Sequence, residues 1–185
     1  MQTIHLAGIS GSLRAGSFNT MLLHAVKELL PEGVTMNILS IADLPLYNAD
    51  KDLPAVAERP ASVTRFRQEL EQAAGLVIVS PEYNYSIPGA LKNAIDWASR
   101  GENAPLLKKP VAVMGATPGL WGTVRLQLAF LPVFQYLDMK PVFKPEVLIA
   151  QAGKKFDAEG RLTDEMAKDL IRKKLENLIA LTTNG

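Results

Sequence analysis

Two apolar rhythms alternate along the chain. Leu76-Val-Ile-Val-Ser80 and Val111-Ala-Val-Met114 are nearly continuous apolar runs, the pattern of strands covered on both faces rather than one. Five strand candidates follow from such runs, at residues 3–7, 34–40, 76–80, 111–115 and 142–149. Between them the apolar positions recur at helical spacing over residues 19–30, 61–74, 89–99, 123–137 and 163–181. Thr163 is the expected N-cap of the last helix, with Asp164 and Glu165 in a first turn that favours carboxylates. Five β-α units in strict alternation predict an α/β fold, a doubly wound five-stranded parallel sheet with helices on both faces. Residues 41–59, with Pro45, Pro54 and several acids, read as a surface excursion, because periodic structure resumes at once.

Composition narrows this picture. At 185 residues the chain is long enough for a full core, and one domain over residues 1–185 is the simplest expectation. Lys+Arg 20 against Asp+Glu 19 leaves a net charge of +1, with no basic face for nucleic acid and no acidic docking surface. Cysteine is absent, which excludes disulfides, thiolate metal sites and thiol redox chemistry, so any redox activity needs a cofactor. Met1-Gln2-Thr3-Ile4-His5-Leu6 lacks the form of a secretory signal and no apolar run is long enough to cross a bilayer, so a soluble cytoplasmic protein without membrane insertion is expected. His5 and His24 have no partner at metal-ligand spacing, and no metal site is expected.

In a doubly wound sheet, ligands bind beyond the carboxyl ends of the strands, and here those loops are the oddest stretches in composition. The first is Gly8-Ile-Ser-Gly-Ser-Leu-Arg-Ala-Gly-Ser17, handing over to a helix at Phe18 and Asn19. Unpaired N–H groups and the positive end of the macrodipole there suit a phosphate. Ser10, Ser12 and Ser17 offer hydroxyls, Arg14 offers charge, and glycines at 8, 11 and 16 allow a sharp turn and close backbone approach. The glycine spacing fits neither a dinucleotide fingerprint nor a Walker A loop, which favours a monophosphate. A plain Gly/Ser-rich turn with Ser17 as N-cap is the competing reading.

The second loop is Ser80-Pro-Glu-Tyr-Asn-Tyr-Ser-Ile-Pro88, where amides and aromatic faces suit a flat heterocycle. Tyr83 and Tyr85 read equally as surface or interface aromatics. Lys92 and Asp96 form an expected i,i+4 ion pair on the following helix, and Trp97 is expected in the core. The third loop, Gly115-Ala-Thr-Pro-Gly-Leu-Trp-Gly122, adds more glycine-rich backbone and Thr117. Neither a nucleophile elbow nor a paired-carboxylate pattern is present, so acyl transfer and glycoside hydrolysis have no support.

On Gly11-Ser-Leu-Arg-Ala-Gly-Ser-Phe-Asn19 and on Pro81-Glu-Tyr-Asn-Tyr-Ser-Ile-Pro-Gly-Ala-Leu-Lys-Asn-Ala-Ile-Asp-Trp97 the chain resembles the NADPH-dependent FMN reductase family, close to its quinone and chromate reductase members. The resemblance implies a flavodoxin-like fold, FMN as cofactor and NADPH or NADH as co-substrate. Ser10, Ser12, Arg14, Ser17 and Asn19 would surround the phosphate. Pro81, Glu82, Tyr83 and Asn84 would border the isoalloxazine and ribityl chain, with Thr117, Pro118 and Gly119 as further contacts. Where relatives often carry Gly-Gly before Arg-x-Gln, this chain has Gly122-Thr123 with Arg125 and Gln127 retained. Arg125 is assigned to the other subunit or to the nicotinamide nucleotide.

The implied activity is two-electron, ping-pong transfer from NAD(P)H to quinones, with chromate, azo compounds and free flavin as further acceptors. No side chain is expected to act as acid, base or nucleophile, since the chemistry lies at flavin N5. A homodimer or homotetramer is expected. A flavodoxin-type single-electron carrier is the alternative, against which the net charge of +1 argues.

Overall fold

The computed structural model describes residues 3–53 and 56–183. Met1, Gln2 and Pro54 of the sequence reading lie outside the described residues.

The strands β1 (Ile4–Ser10), β2 (Val34–Leu39), β3 (Gly75–Val79) and β4 (Pro110–Ala116) pair in parallel, and β5 (Lys140–Pro141) completes the order β2-β1-β3-β4-β5. That order, with a switch point between β1 and β3, is the flavodoxin-like one. A further strand, β6 (Leu148–Ile149), pairs with the far end of β4.

The helices α1 (Phe18–Glu28) and α6 (Glu165–Thr183) cover one face. The other face carries α2 (Ala61–Gln72), α3 (Gly89–Ala98), α4 (Val124–Ala129) and α5 (Leu131–Tyr136). The alternation along β3 explains the double core. Val77 and Val79 pack with α1 and α6, whereas Leu76 and Ile78 pack under α2 and α3, so both faces demand apolar residues. Trp97 is fully buried and Lys92 meets Asp96 at 2.7 Å, as the helix pattern predicts.

Four boundaries differ from the sequence reading. The first strand runs on to Ser10, so Gly8 is strand rather than loop and packs under Met36 and Leu23. Of the expected strand at 142–149 only Leu148 and Ile149 pair, as β6, while β5 ends just before it at Pro141, because Phe143 and Lys144 turn out to solvent and Lys174 takes the carbonyls of Val142 and Pro145 at 2.8 and 3.0 Å. The expected helix at 123–137 breaks at Phe130, with Pro132 in the first turn of α5, where a missing N–H costs nothing. Asp164, not Thr163, caps α6: its carboxylate accepts from the Ala167 N–H at 2.8 Å, while the Thr163 hydroxyl donates to the Lys155 carbonyl.

The excursion after β2 is strapped down. The Pro45 carbonyl accepts from both Trp97 Nε1 and Asn93 Nδ2, and buried Asp52 pairs with Arg59.

Candidate functional site: a cleft at the strand ends

The first loop is built to leave donors free. Ser17 is in extended conformation and accepts from the Asn19 N–H at 3.2 Å, which sets the start of α1. The N–H groups of Ala15, Gly16, Ser17 and Phe18 find no acceptor among the described residues. Exposed Arg14 makes no ion pair among them either, and a Cβ on Gly16 would sit 3.4 Å from its Nη1, so the guanidinium lies across the loop. Free amides at a helix start with an unpaired guanidinium over them form a site for a phosphate dianion.

Gly11 has a different purpose from the one its position in a glycine-rich loop suggests. A Cβ there would lie 2.6 Å from Ser80 Cβ, so the glycine lets β1 and the end of β3 approach one another.

Asn19 joins this loop to the third. Its Oδ1 accepts from the Ala116 N–H at 2.8 Å and its Nδ2 donates to the Ala116 carbonyl at 2.9 Å, both buried. The third loop is further tied to β6 and the chain just beyond it, with Thr117 N–H donating to Ile149 O and Ala152 N–H to Thr117 O.

The second loop ends in a two-residue turn. Tyr83 and Ser86 exchange both backbone bonds, while Asn84 and Tyr85 take φ of 49° and 62°. Positive φ at both central positions is the type I′ turn, which Asn tolerates and a bulky Tyr does not easily adopt. The Tyr85 ring carries the Arg125 guanidinium at 4.2 Å, and Trp121 flanks it at 5.2 Å. The Tyr83 N–H is taken by the Ser86 carbonyl at 3.2 Å.

These three loops wall one cleft. Ser12, Arg14, Ser17 and Asn19 line it from the first loop, Pro81, Glu82 and Tyr83 from the second, and Thr117 and Pro118 from the third. Three expected residues lie outside it. Ser10 bonds Thr20 at 2.8 Å, Asn84 occupies the exposed turn, and the Gly119 carbonyl accepts from Gln151. Asn19 and Glu82 engage distant backbone with their side chains, at Ala116 and at the start of α4, whereas Ser12, Ser17 and Thr117 each accept from the N–H two residues on. Phe18 and Ala116 line it although sequence reasoning passed over both. Phe18 had a signal, because the residue after an N-cap at such a loop is held beside the ligand.

A second, more apolar cavity opens at the sheet edge, where the fifth strand is interrupted. Its lining includes Val113, Leu131, Phe134 and Lys174, and burial pushes the Lys174 amine down to about 8. It shares no lining residue with the cleft between the three loops.

Fold order and cleft together define a flavodoxin-like α/β protein with an anion cradle at the first βα turn. Residues 4–154 match the NADPH-dependent FMN reductase family. The chain is 45% identical over 175 residues to an NAD(P)H-dependent FMN reductase of Pseudomonas aeruginosa, covering 95% of this chain and 93% of that one. It is 39% identical over 170 residues to a quinone reductase of Escherichia coli, covering 91% and 89%. Among solved structures, the flavoenzyme NAD(P)H:(acceptor) oxidoreductase FerB of Paracoccus denitrificans superposes with a TM-score of 0.86 at 31% identity, over 98% of each chain. The chain belongs to the NADPH-dependent FMN reductase family, and is an oxidoreductase with FMN as cofactor and NAD(P)H as co-substrate. The free amides, the Ser12 and Ser17 hydroxyls and Arg14 fit the FMN phosphate without a metal.

Proposed function

We propose that this chain, folded as one domain, reduces quinones with NAD(P)H by a two-step ping-pong cycle at a single open cleft. The observation that carries the reading is the coincidence of four free N–H groups, unpaired Arg14 and an aromatic turn around one cleft. Bound FMN supplies two-electron transfer from the nicotinamide to the acceptor. The protein's own part is to bind and orient. The first loop holds the phosphate, Pro81, Tyr83, Thr117 and Pro118 bound the ribityl chain and ring, and Asn19 and Glu82 keep the loops in place. No side chain in the cleft has to move a proton, since the chemistry lies on the flavin.

An open cleft also admits chromate, azo compounds and free flavin as further acceptors. Leu120 and Trp121, in the third loop that helps wall the cleft, are 71% and 67% exposed, an apolar surface suited to a homodimer or homotetramer, with Arg125 at its border toward the other subunit or the nicotinamide nucleotide. No helix among the described residues is long and apolar enough to cross a membrane, and use of NAD(P)H fits a cytoplasmic setting.

The test is Arg14→Ala. FMN affinity is expected to fall by about tenfold or more, as for loss of a charge-assisted bond, while riboflavin affinity is unchanged. Equal losses for both ligands would refute the phosphate assignment. Initial rates at varied quinone should give parallel double-reciprocal lines; intersecting lines would refute the ping-pong order.

A further inference from the structure

The helix α4 begins without a cap of its own. The residue at its N-cap position, Thr123, has φ of 70°, outside the extended conformation from which a threonine side chain reaches back to the second and third N–H groups. Its hydroxyl is buried beside Gly115 with no partner. The cap comes from another loop. Glu82 Oε2 accepts from the N–H groups of Arg125 and Leu126 at 2.9 and 3.1 Å, the two donors a native N-cap would take. Its Oε1 lies 3.7 Å from Arg125 Nη1, and the Glu82 side chain is only 13% exposed.

The same Arg125 lies against Tyr85 from the second loop and Trp121 from the third. Asn84, Tyr85 and Thr123, three of the non-glycine residues with positive φ, therefore stand on either side of this one carboxylate. Such conformations are strained and persist only where the surroundings fix them. The second loop borders one side of the cleft and the third loop another.

We propose that Glu82 is a positioning residue: by capping α4 from the β3–α3 loop it fixes the separation of the second and third loops, and so sets affinity for the flavin ring rather than for the phosphate. This rests on the FMN site proposed above. Glu82 is 68 residues from Arg14 in sequence and acts on the opposite wall, so the two residues have separable signatures. Loss of Arg14 weakens FMN alone; loss of Glu82 weakens FMN and riboflavin by the same factor. A glutamine retains a carbonyl oxygen able to accept both N–H groups, whereas an aspartate is one methylene too short to reach them.

The experiment measures FMN and riboflavin dissociation constants by fluorescence quenching for the wild type, Glu82→Ala, Glu82→Gln and Glu82→Asp, with the flavin midpoint potential of each FMN-loaded protein. Glu82→Ala is expected to raise both constants about tenfold and to shift the potential, with Glu82→Gln restoring both constants to within about threefold and Glu82→Asp failing to do so. Should Glu82→Ala not fold, the Gln and Asp pair carries the same contrast. Variants that melt earlier but bind both flavins at wild-type strength would overturn the proposal, leaving Glu82 a cap and nothing more. A loss confined to FMN would also overturn it. If the wild-type protein bound neither flavin, the failure would belong to the FMN site itself.

Discussion

Replacing Asn19 with alanine removes the side chain that, among the described residues, ties the first loop to the end of β4. Both of its bonds to Ala116 are buried, at 2.8 and 2.9 Å, and Ala116 itself is 2% exposed. After Asn19→Ala, the N–H and the carbonyl of Ala116 stay in the interior without partners, each at a cost of about 1–3 kcal/mol. Partial relaxation brings the expected loss to about 2–4 kcal/mol, with a melting temperature lower by roughly 5–15 °C for a chain of this length.

Asn19→Asp refines the test through pH. One aspartate oxygen still accepts the Ala116 N–H, but the other faces the Ala116 carbonyl, where only the protonated acid can donate. Folding therefore raises that carboxyl above its ordinary value of ~3.9. Between the two values the folded state binds more protons than the unfolded state, so the stability of this variant falls, relative to wild type, as pH rises. Urea unfolding of the FMN-free proteins between pH 4 and pH 8 reads both effects. A loss below about 0.5 kcal/mol for Asn19→Ala, or a difference for Asn19→Asp that does not change with pH, would refute the clamp.

Two further outcomes follow from the packing. Gly11→Ala drives a Cβ to 2.6 Å from Ser80 Cβ and is expected to cost about 1–3 kcal/mol in urea unfolding, and the double variant with Ser80→Gly should recover most of the loss; no recovery would mean the strain lies elsewhere. Lys174, depressed from 10.5 to about 8 by burial, binds fewer protons folded than unfolded between those values, so its contribution to stability improves as pH climbs through that window, by at most about 3 kcal/mol. The stability difference between wild type and Lys174→Met should move in favour of wild type from pH 8 to 10.5, and a flat difference would contradict the buried amine.

Local pattern reached far in this chain because the central strands β3 and β4 are buried on both faces and each helix on one. The runs at Leu76 and Val111 and the apolar spacing of α1, α3 and α6 mark their elements without tertiary information. The fifth strand was less legible. Val142, Val147 and Ile149 are all buried, so the segment looks like a strand, but its carbonyls at Val142 and Pro145 are taken by Lys174, about thirty residues on.

The same division runs through the site. Its loops announced themselves by glycine, serine and position at the strand ends. The engagements of individual side chains did not, because they depend on partners distant in sequence: Asn19 on Ala116, Glu82 on the start of α4, Gly11 on Ser80. The family resemblance implied a ligand contact at Glu82; the residue does line the cleft, with its carboxylate turned to the start of a helix whose own cap residue cannot serve. Thr123 marks this departure in the sequence, standing at a positive φ that a glycine would occupy at little cost.

An anaerobic absorption spectrum of the FMN-loaded protein, taken before and after one equivalent of NADPH and again after one equivalent of a quinone, tests the two-electron cycle most directly. The flavin bands are expected to bleach with NADPH and return in full with the quinone. Bands that persist through the NADPH addition would contradict it and favour a carrier that needs a separate reductase, and a protein that takes up no FMN would contradict the reading of the cleft.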